Sequence, residues 1–212
     1  MSEKLKDMSI AAFVDLTASD APAPGGGSVS ALFGALSAAL TGMVAGLTVG
    51  KKKYVEVEAE MREVAAAAEV LKKELVEEID RDSESFNEFM AAMALPKNTD
   101  EEKAARKAAM QNGLKSAAKV PCHVAETAAR IFPLAKTVVE RGNTNAVTDG
   151  LVAAMAARTA VIGAGLNVKI NLASIEDEDF VAEYSARVAA LEEQAIAAER
   201  EIFALSELTR EI

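Results

Sequence analysis

The apolar series Leu75, Ile79, Phe86 and Phe89 advances by three and four residues, and the step between Ile79 and Phe86 that belongs to another core side chain is Asp82. A carboxylate among apolar neighbours is unfavourable unless it is hydrogen-bonded, paired or protonated. Asp82 is therefore read in two ways: as a structural acid held by an Arg or an amide from another helix, or as a group used for proton transfer. Asp80 lies about 200° away around the same helix at 3.6 residues per turn, so spacing alone does not make the two a paired-carboxylate site. Asp80 is expected on the solvated surface.

Other polar residues could line a site. Pro22-Ala23-Pro24-Gly25-Gly26-Gly27-Ser28 leads into a helix, which sets three glycines beside exposed amide donors at a positive helix end. That suits a carboxylate, a carbonyl or a pterin edge; the plain alternative is a stiff turn capped by Ser28. The turn follows no strand and has no P-loop lysine, so it is neither a Walker nor a dinucleotide fingerprint. Lys51-Lys52-Lys53-Tyr54 is a cationic run on an acidic chain, fit for an anionic tail or simply a solvated turn. Asn145 and Asp149 lie one helical turn apart and form either a site wall or ordinary surface. Asn167 and Asn171 put two amides on one face if the helix persists across Val168. His123 is the only histidine and Cys122 the only cysteine. With no cluster of His, Cys or Glu-x-x-His type, no metal centre and no hydrolase triad is expected.

The elements that must carry these residues are helices. Long stretches rich in Ala, Leu, Met, Glu and Lys are separated by sparse turn signals at Pro22 to Gly27, Gly50, Pro96 to Thr99, Gly142 and Ser174 to Glu176, with no alternating β-branched runs. The pattern predicts an all-α fold, a bundle of long antiparallel helices with short connections, formed by one domain over residues 1–212. One helix spans Lys53 to Ala94 with Val57, Met61, Val64, Ala68, Leu71 and Leu75 leading its apolar face. Thr99 caps the next, and Pro121 begins a new helix or kinks the old one, an effect Pro133 repeats. Gly142 is free to take the left-handed conformation at a helix end. A last helix starts near Asp177 and Asp179, with an apolar stripe from Val181 through Tyr184, Val188 and Leu191 to Leu205.

Thirty-three acidic against 23 basic residues give a formal charge of -10, a field that repels phosphate backbones and anionic membranes. Nucleic acid is not expected as a partner. Met1-Ser2-Glu3-Lys4 is charged where a secretory signal turns apolar, and one cysteine forms no internal disulfide, so a cytoplasmic protein is expected. Ser28 to Val49 is long enough to span a bilayer, but its Ala, Gly, Ser and Thr content reads as close helix packing, not a membrane segment. The apolar circumference of this helix and the stripe of the last one exceed what one slim bundle hides, so a homodimer is expected.

In order along the chain, Pro24-Gly25-Gly26-Gly27-Ser28, Gly50-Lys51-Lys52-Lys53-Tyr54, Asp80-Arg81-Asp82-Ser83, Leu95-Pro96-Lys97-Asn98-Thr99, Gly142-Asn143, Asp149 and Asn167-Val168-Lys169-Ile170-Asn171-Leu172 cover nearly all of it. With these motifs the sequence resembles the cyclodeaminase and methenyltetrahydrofolate cyclohydrolase family, which includes the C-terminal domain of formiminotransferase-cyclodeaminase. Cys122-His123 after Pro121 departs from the aliphatic residue common there. The resemblance implies an all-helical homo-oligomer with a folate site in which Asp82 carries acid-base catalysis. It implies substrate contacts from Pro24, Gly25, Gly26, Gly27, Ser28, Lys51, Lys53, Tyr54, Asn143, Asp149, Asn167 and Asn171, and no cofactor beyond the tetrahydrofolate substrate. The expected reaction is conversion of 5-formiminotetrahydrofolate to 5,10-methenyltetrahydrofolate and ammonia. Cyclohydrolase action on the same site is the alternative, and a helical scaffold protein the non-enzymatic one.

Overall fold

The computed structural model describes residues 4–209. Seven α-helices follow one another: α1 (Ile10–Thr17), α2 (Gly26–Thr48), α3 (Glu58–Met93), α4 (Asp100–Ala129), α5 (Ile131–Arg141), α6 (Val147–Leu172) and α7 (Glu178–Phe203), with 3-10 turns at Leu5–Asp7, Lys52–Val57 and Thr144–Ala146. No strand occurs among the described residues, and the all-α expectation holds.

Small side chains make α2 and α6 the centre. Gly34 faces Leu75 of α3 and Ala160 of α6, where a Cβ would come within 3.1 Å and 3.5 Å of them. The Ser37 hydroxyl crosses to the Ala153 carbonyl at 2.7 Å. α2 is therefore wedged between α3 and α6, while α4, α5 and α7 pack around α6. The N-terminal end of α2 meets the C-terminal end of α6, since a Cβ on Gly26 would lie 3.0 Å from Asn167. At the other end, the Asn143 backbone N–H donates to Thr48 Oγ1 at 2.9 Å just before α6 begins. α2 and the Thr144–Leu172 stretch have the length and composition to cross a membrane, and half of each apolar window is buried in the bundle.

Several local expectations hold. Thr99 and Glu102 form a reciprocal capping box, and the Asp177 side chain accepts the Phe180 N–H as N-cap of α7. Others need correction. α3 begins at Glu58 and not Lys53, because residues 52–57 form a 3-10 turn. α4 runs through Pro121 without a break, and the chain turns at Arg130 instead, with Pro133 in the first turn of α5 where a missing N–H is harmless. Gly142 is extended at φ −79°, and its glycine is needed because a Cβ would collide with the Val138 carbonyl. The left-handed glycine is Gly50, at φ +77°.

Leu75 is fully buried and packs where α2, α3 and α6 meet. Leu75→Ala leaves a cavity that backbone-close glycine and alanine neighbours cannot fill, and a loss of about 2–5 kcal/mol is expected in urea unfolding. A loss under about 1 kcal/mol would show that the three helices can close on the gap.

Candidate active site

Asp82 lies at the point where the α3 stripe stops being core. Met61, Val64, Ala68, Leu71, Leu75 and Ile79 are buried, whereas Phe86 and Phe89 are half-buried and Met93 is exposed. Asp82 is itself half-buried, so it occupies the rim of a cleft and not the core position its spacing suggests. Asp80 reverses its expectation in the other direction: it is buried, and its Oδ1 accepts the Leu5 N–H at 2.7 Å, because the N-terminal turn covers that side of α3. The two acids thus serve different faces of one helix.

Asp82 meets the beginning of α2. The Ser28 N–H, one of the first-turn amides left without an intrahelical acceptor, donates to Asp82 Oδ2 at 2.8 Å. The Ser28 hydroxyl lies 3.0 Å from the Ile79 carbonyl oxygen and 3.1 Å from the same Oδ2. Ser28 is therefore not the N-cap of α2, a place taken by Gly25. Asp82 Oδ1 has no hydrogen-bond partner among the described residues. Burial pushes the Asp82 carboxyl above its ordinary range, and the bonds from the Ser28 hydroxyl and amide pull it partly back. Gly27 makes this approach possible, since any Cβ there would fall inside the carboxylate.

The cleft beside Asp82 has a volume of about 250 Å³, and its walls include Gly25, Gly26, Phe86, Asn167 and Asn171. Pro24 is buried behind the turn, after a cis Ala23–Pro24 bond, and does not line it. α6 persists across Val168, so both amides share a face as expected. Asn167 Nδ2 donates to the Gly163 carbonyl at 2.9 Å, and Asn171 Nδ2 donates to the Asn167 and Ala117 carbonyls at 2.8 and 3.0 Å. Ala117 is four residues before Pro121, whose missing N–H leaves that carbonyl without its helical donor. Pro121 thereby helps to fix Asn171, a relation that sequence spacing across two helices does not reveal. Both side chains are thus held in place on α6, and both line the cleft. Ser83, Ser85 and Ala117 are cleft residues the motifs did not single out for binding.

The remaining candidates are not at this cleft. Lys51, Lys53, Tyr54 and Asn143 gather at the opposite end of α2, 22 residues and about 33 Å along the helix. Asn143 is buried, and its side chain donates to the Leu47 carbonyl at 3.1 Å and accepts the Asn145 N–H, so it fastens α6 to α2 and is closed to a ligand. Asp149 stands in the first turn of α6, about 33 Å along that helix from Asn171, and within one chain it cannot neutralise charge beside Asp82. His123 Nε2 lies 3.1 Å from a Glu74 carboxylate oxygen, on the side of α4 that faces α3. Burial pushes the Cys122 thiol up to about 11, which disqualifies it as a nucleophile. No group of three or more metal-ligating side chains occurs among the described residues.

A carboxyl with an elevated pKa and one oxygen free of hydrogen bonds, in a cleft that also holds two side-chain amides, can accept and return a proton on a nitrogen-rich ligand. Comparison with known proteins gives this chemistry a context. The family model for formiminotransferase-cyclodeaminase matches residues 9–190. The chain is 45% identical to the methenyltetrahydrofolate cyclohydrolase of Methylorubrum extorquens over 82% of this chain and 84% of that one. It is 40% identical to the formimidoyltransferase-cyclodeaminase of Gallus gallus over 88% of its own length, spanning 34% of that longer protein. The crystal structure of formiminotetrahydrofolate cyclodeaminase from Thermotoga maritima superposes with a TM-score of 0.85 at 31% identity, covering 95% of this chain and 97% of that one.

Gly27→Ala should force the Asp82 side chain out of its pocket toward water. The expected result is a destabilisation of about 1–3 kcal/mol together with an Asp82 pKa that falls toward the ordinary carboxylate value, followed by NMR titration of the side chain. An unchanged Asp82 titration in the folded variant would mean that Gly27 does not set the position of the acid.

Proposed function

The chain belongs to the formiminotransferase-cyclodeaminase family, and from that premise we propose that it is a folate one-carbon enzyme acting as a formiminotetrahydrofolate cyclodeaminase, with Asp82 as the acid and base. The observation that carries the reading is the single half-buried carboxyl fixed by Ser28 on one oxygen and open to the cleft on the other. N10 of 5-formiminotetrahydrofolate attacks the formimino carbon, and the Asp82 carboxylate takes the N10 proton as the new C–N bond forms. The same proton then goes to the formimino nitrogen, giving a tetrahedral carbon that bears an amino group. A further proton, delivered through the same carboxyl, converts that group to ammonia, whose departure leaves cationic 5,10-methenyltetrahydrofolate. An elevated pKa suits a group that must act in both directions near neutrality. The ionised carboxylate also stands beside the cationic product.

A second reading is favoured by the higher identity of the cyclohydrolase relative. There Asp82 removes a proton from water as it attacks the methenyl carbon, and the ring opens at a C–N bond. The homodimer and the cytoplasmic location remain part of the proposal; an exposed apolar face on α2 and α6 supports the first.

Purified protein should release ammonia from 5-formiminotetrahydrofolate; loss of the methenyl absorbance without ammonia release would select the cyclohydrolase, and neither reaction would leave a scaffold. Asp82→Asn should lower turnover by about 10²–10⁴-fold while the helical fold persists. The linkage has a definite sign. A carboxyl whose folded pKa is raised stabilises the fold below its unfolded pKa and loses that contribution as pH rises through the folded value. Asp82→Asn should therefore unfold at no lower urea concentration than the wild type at pH 7, with any advantage vanishing toward pH 4. Near-normal turnover in the folded variant would remove Asp82 from the mechanism.

A further inference from the structure

A basic pocket lies at the end of the α3–α4 hairpin, far from the lysine turn after α2. Lys97, Lys103, Arg106 and Lys107 line an open hollow of about 400 Å³ in which Glu176 is the one carboxylate. Four cations against one acid reverse the balance of a chain whose formal charge is -10. Lys97 and Arg106 line it without an ion pair among the described residues. Lys103 pairs with Asp100 at 2.9 Å and Lys107 with Glu176 at 2.8 Å, in exposed contacts that water and salt weaken.

The pocket is braced by backbone groups that regular helices leave over. Arg106 Nε donates at 3.1 Å to the carbonyl of Met93, the last residue of α3, where no helical donor follows. Gln111 holds the opposite side. Its Nε2 donates to the Ser174 carbonyl at 3.0 Å, and its Oε1 accepts the Glu176 N–H at 2.9 Å, so the segment after α6 is fastened to α4. The cations therefore stand where the end of α3, the first half of α4 and the end of α6 meet.

This pocket and the Asp82 cleft share a wall. Lys103, Arg106, Met110, Gly113 and Ala117 follow one another by three and four residues and form one row along α4. Ala117 lines the cleft, whereas Lys103, Arg106 and Met110 line the basic pocket. Between them Gly113 lets α3 come close, since a Cβ there would lie 3.0 Å from Phe89 Cα, and no α4 side chain rises from that position. The end of α6 runs alongside, with Asn171 at the cleft and Glu176 at the pocket. From Ala117 to Lys107 is ten residues, about 15 Å along the helix.

That spacing exceeds the Debye length of about 8 Å at physiological ionic strength, so the pocket acts on groups that touch it and not on the cleft at a distance. A ligand anchored beside Asp82 reaches it only with an extended anionic arm, which the anchor presents at high effective concentration. We propose that the pocket is a subsite for such an arm, a chain of γ-linked glutamates on the folate, whose carboxylates meet Lys97, Arg106 and Lys107 of the same chain. The tail assignment rests on the folate reading above; the affinity of the pocket for a polycarboxylate does not.

Whichever of 5-formiminotetrahydrofolate and 5,10-methenyltetrahydrofolate the protein turns over is compared with one and with five glutamates. The wild type should show a KM at least about tenfold lower for the longer tail at similar kcat, because a contact made equally in ground and transition states changes KM alone. Added salt should shrink the difference. Lys97→Gln combined with Lys107→Gln, both at exposed positions, should bring the ratio of the two KM values toward one. The ratio separates tail binding from damage to the fold, which affects both substrates alike. Equal KM values in the wild type, or an unchanged ratio in the double variant, would overturn the subsite. If the wild type acts on neither folate, the functional reading fails, and free γ-linked pentaglutamate followed by amide NMR still decides the pocket. Shifts confined to residues 97–111 and 174–176 would support it. No shift there, or the same shifts from inorganic phosphate at equal concentration, would overturn a site built for a polycarboxylate.

Discussion

The contact between Ser28 and Asp82 ties the end of the central helix to the acid on its neighbour. A helix begins with amides that have no internal acceptor, and the carboxylate of another helix satisfies one of them at 2.8 Å. The exchange is mutual, because the positive end of α2 favours the charge that partial burial disfavours. Asp82 is consequently held in one orientation with one oxygen committed and one available. The glycines follow from this contact: a side chain at 27 would expel the carboxylate, and one at 26 would press on Asn167.

Fixing the opposite wall uses the same economy of backbone groups. Pro121 sits in mid-helix, a position that ordinarily weakens a helix by removing a donor. The carbonyl it leaves at Ala117 becomes an acceptor for Asn171, and Asn171 in turn reaches the Asn167 carbonyl. Two defects in regular hydrogen bonding, the open start of α2 and the missing donor in α4, thus position groups on either side of the cleft. A site built on helix ends and interruptions is held by the packed bundle and needs no long loop.

Helix content, the Thr99 cap, the start of the last helix near Asp177 and most of the α3 stripe were legible because they depend on residues a few positions apart. Asp82 was legible as an anomaly, but its neighbour Asp80 was not. Periodicity within α3 gives the angle between the two acids and says nothing of the N-terminal turn that buries one of them. The same limit explains Pro121, since the partner of an orphaned carbonyl 54 residues away in sequence has no local signal. Family motifs named Lys51, Lys53, Tyr54, Asn143 and Asp149 together with Asp82 as contributors to one site; the lengths of α2 and α6 hold them at opposite ends of one chain.

That separation is decisive for electrostatics. Exposed charges are largely screened beyond a Debye length of about 8 Å at physiological ionic strength, and the lysine run lies about 33 Å from Asp82 along α2. Within one chain it can neither attract a ligand into the cleft nor offset the formal charge of -10 there. Its influence is local, confined to whatever occupies its own end of the bundle. A cationic run that serves an anionic ligand at the Asp82 cleft must therefore reach it through contact with a second molecule, and the uncharged side of α2 is the surface along which such contact meets no opposing charge.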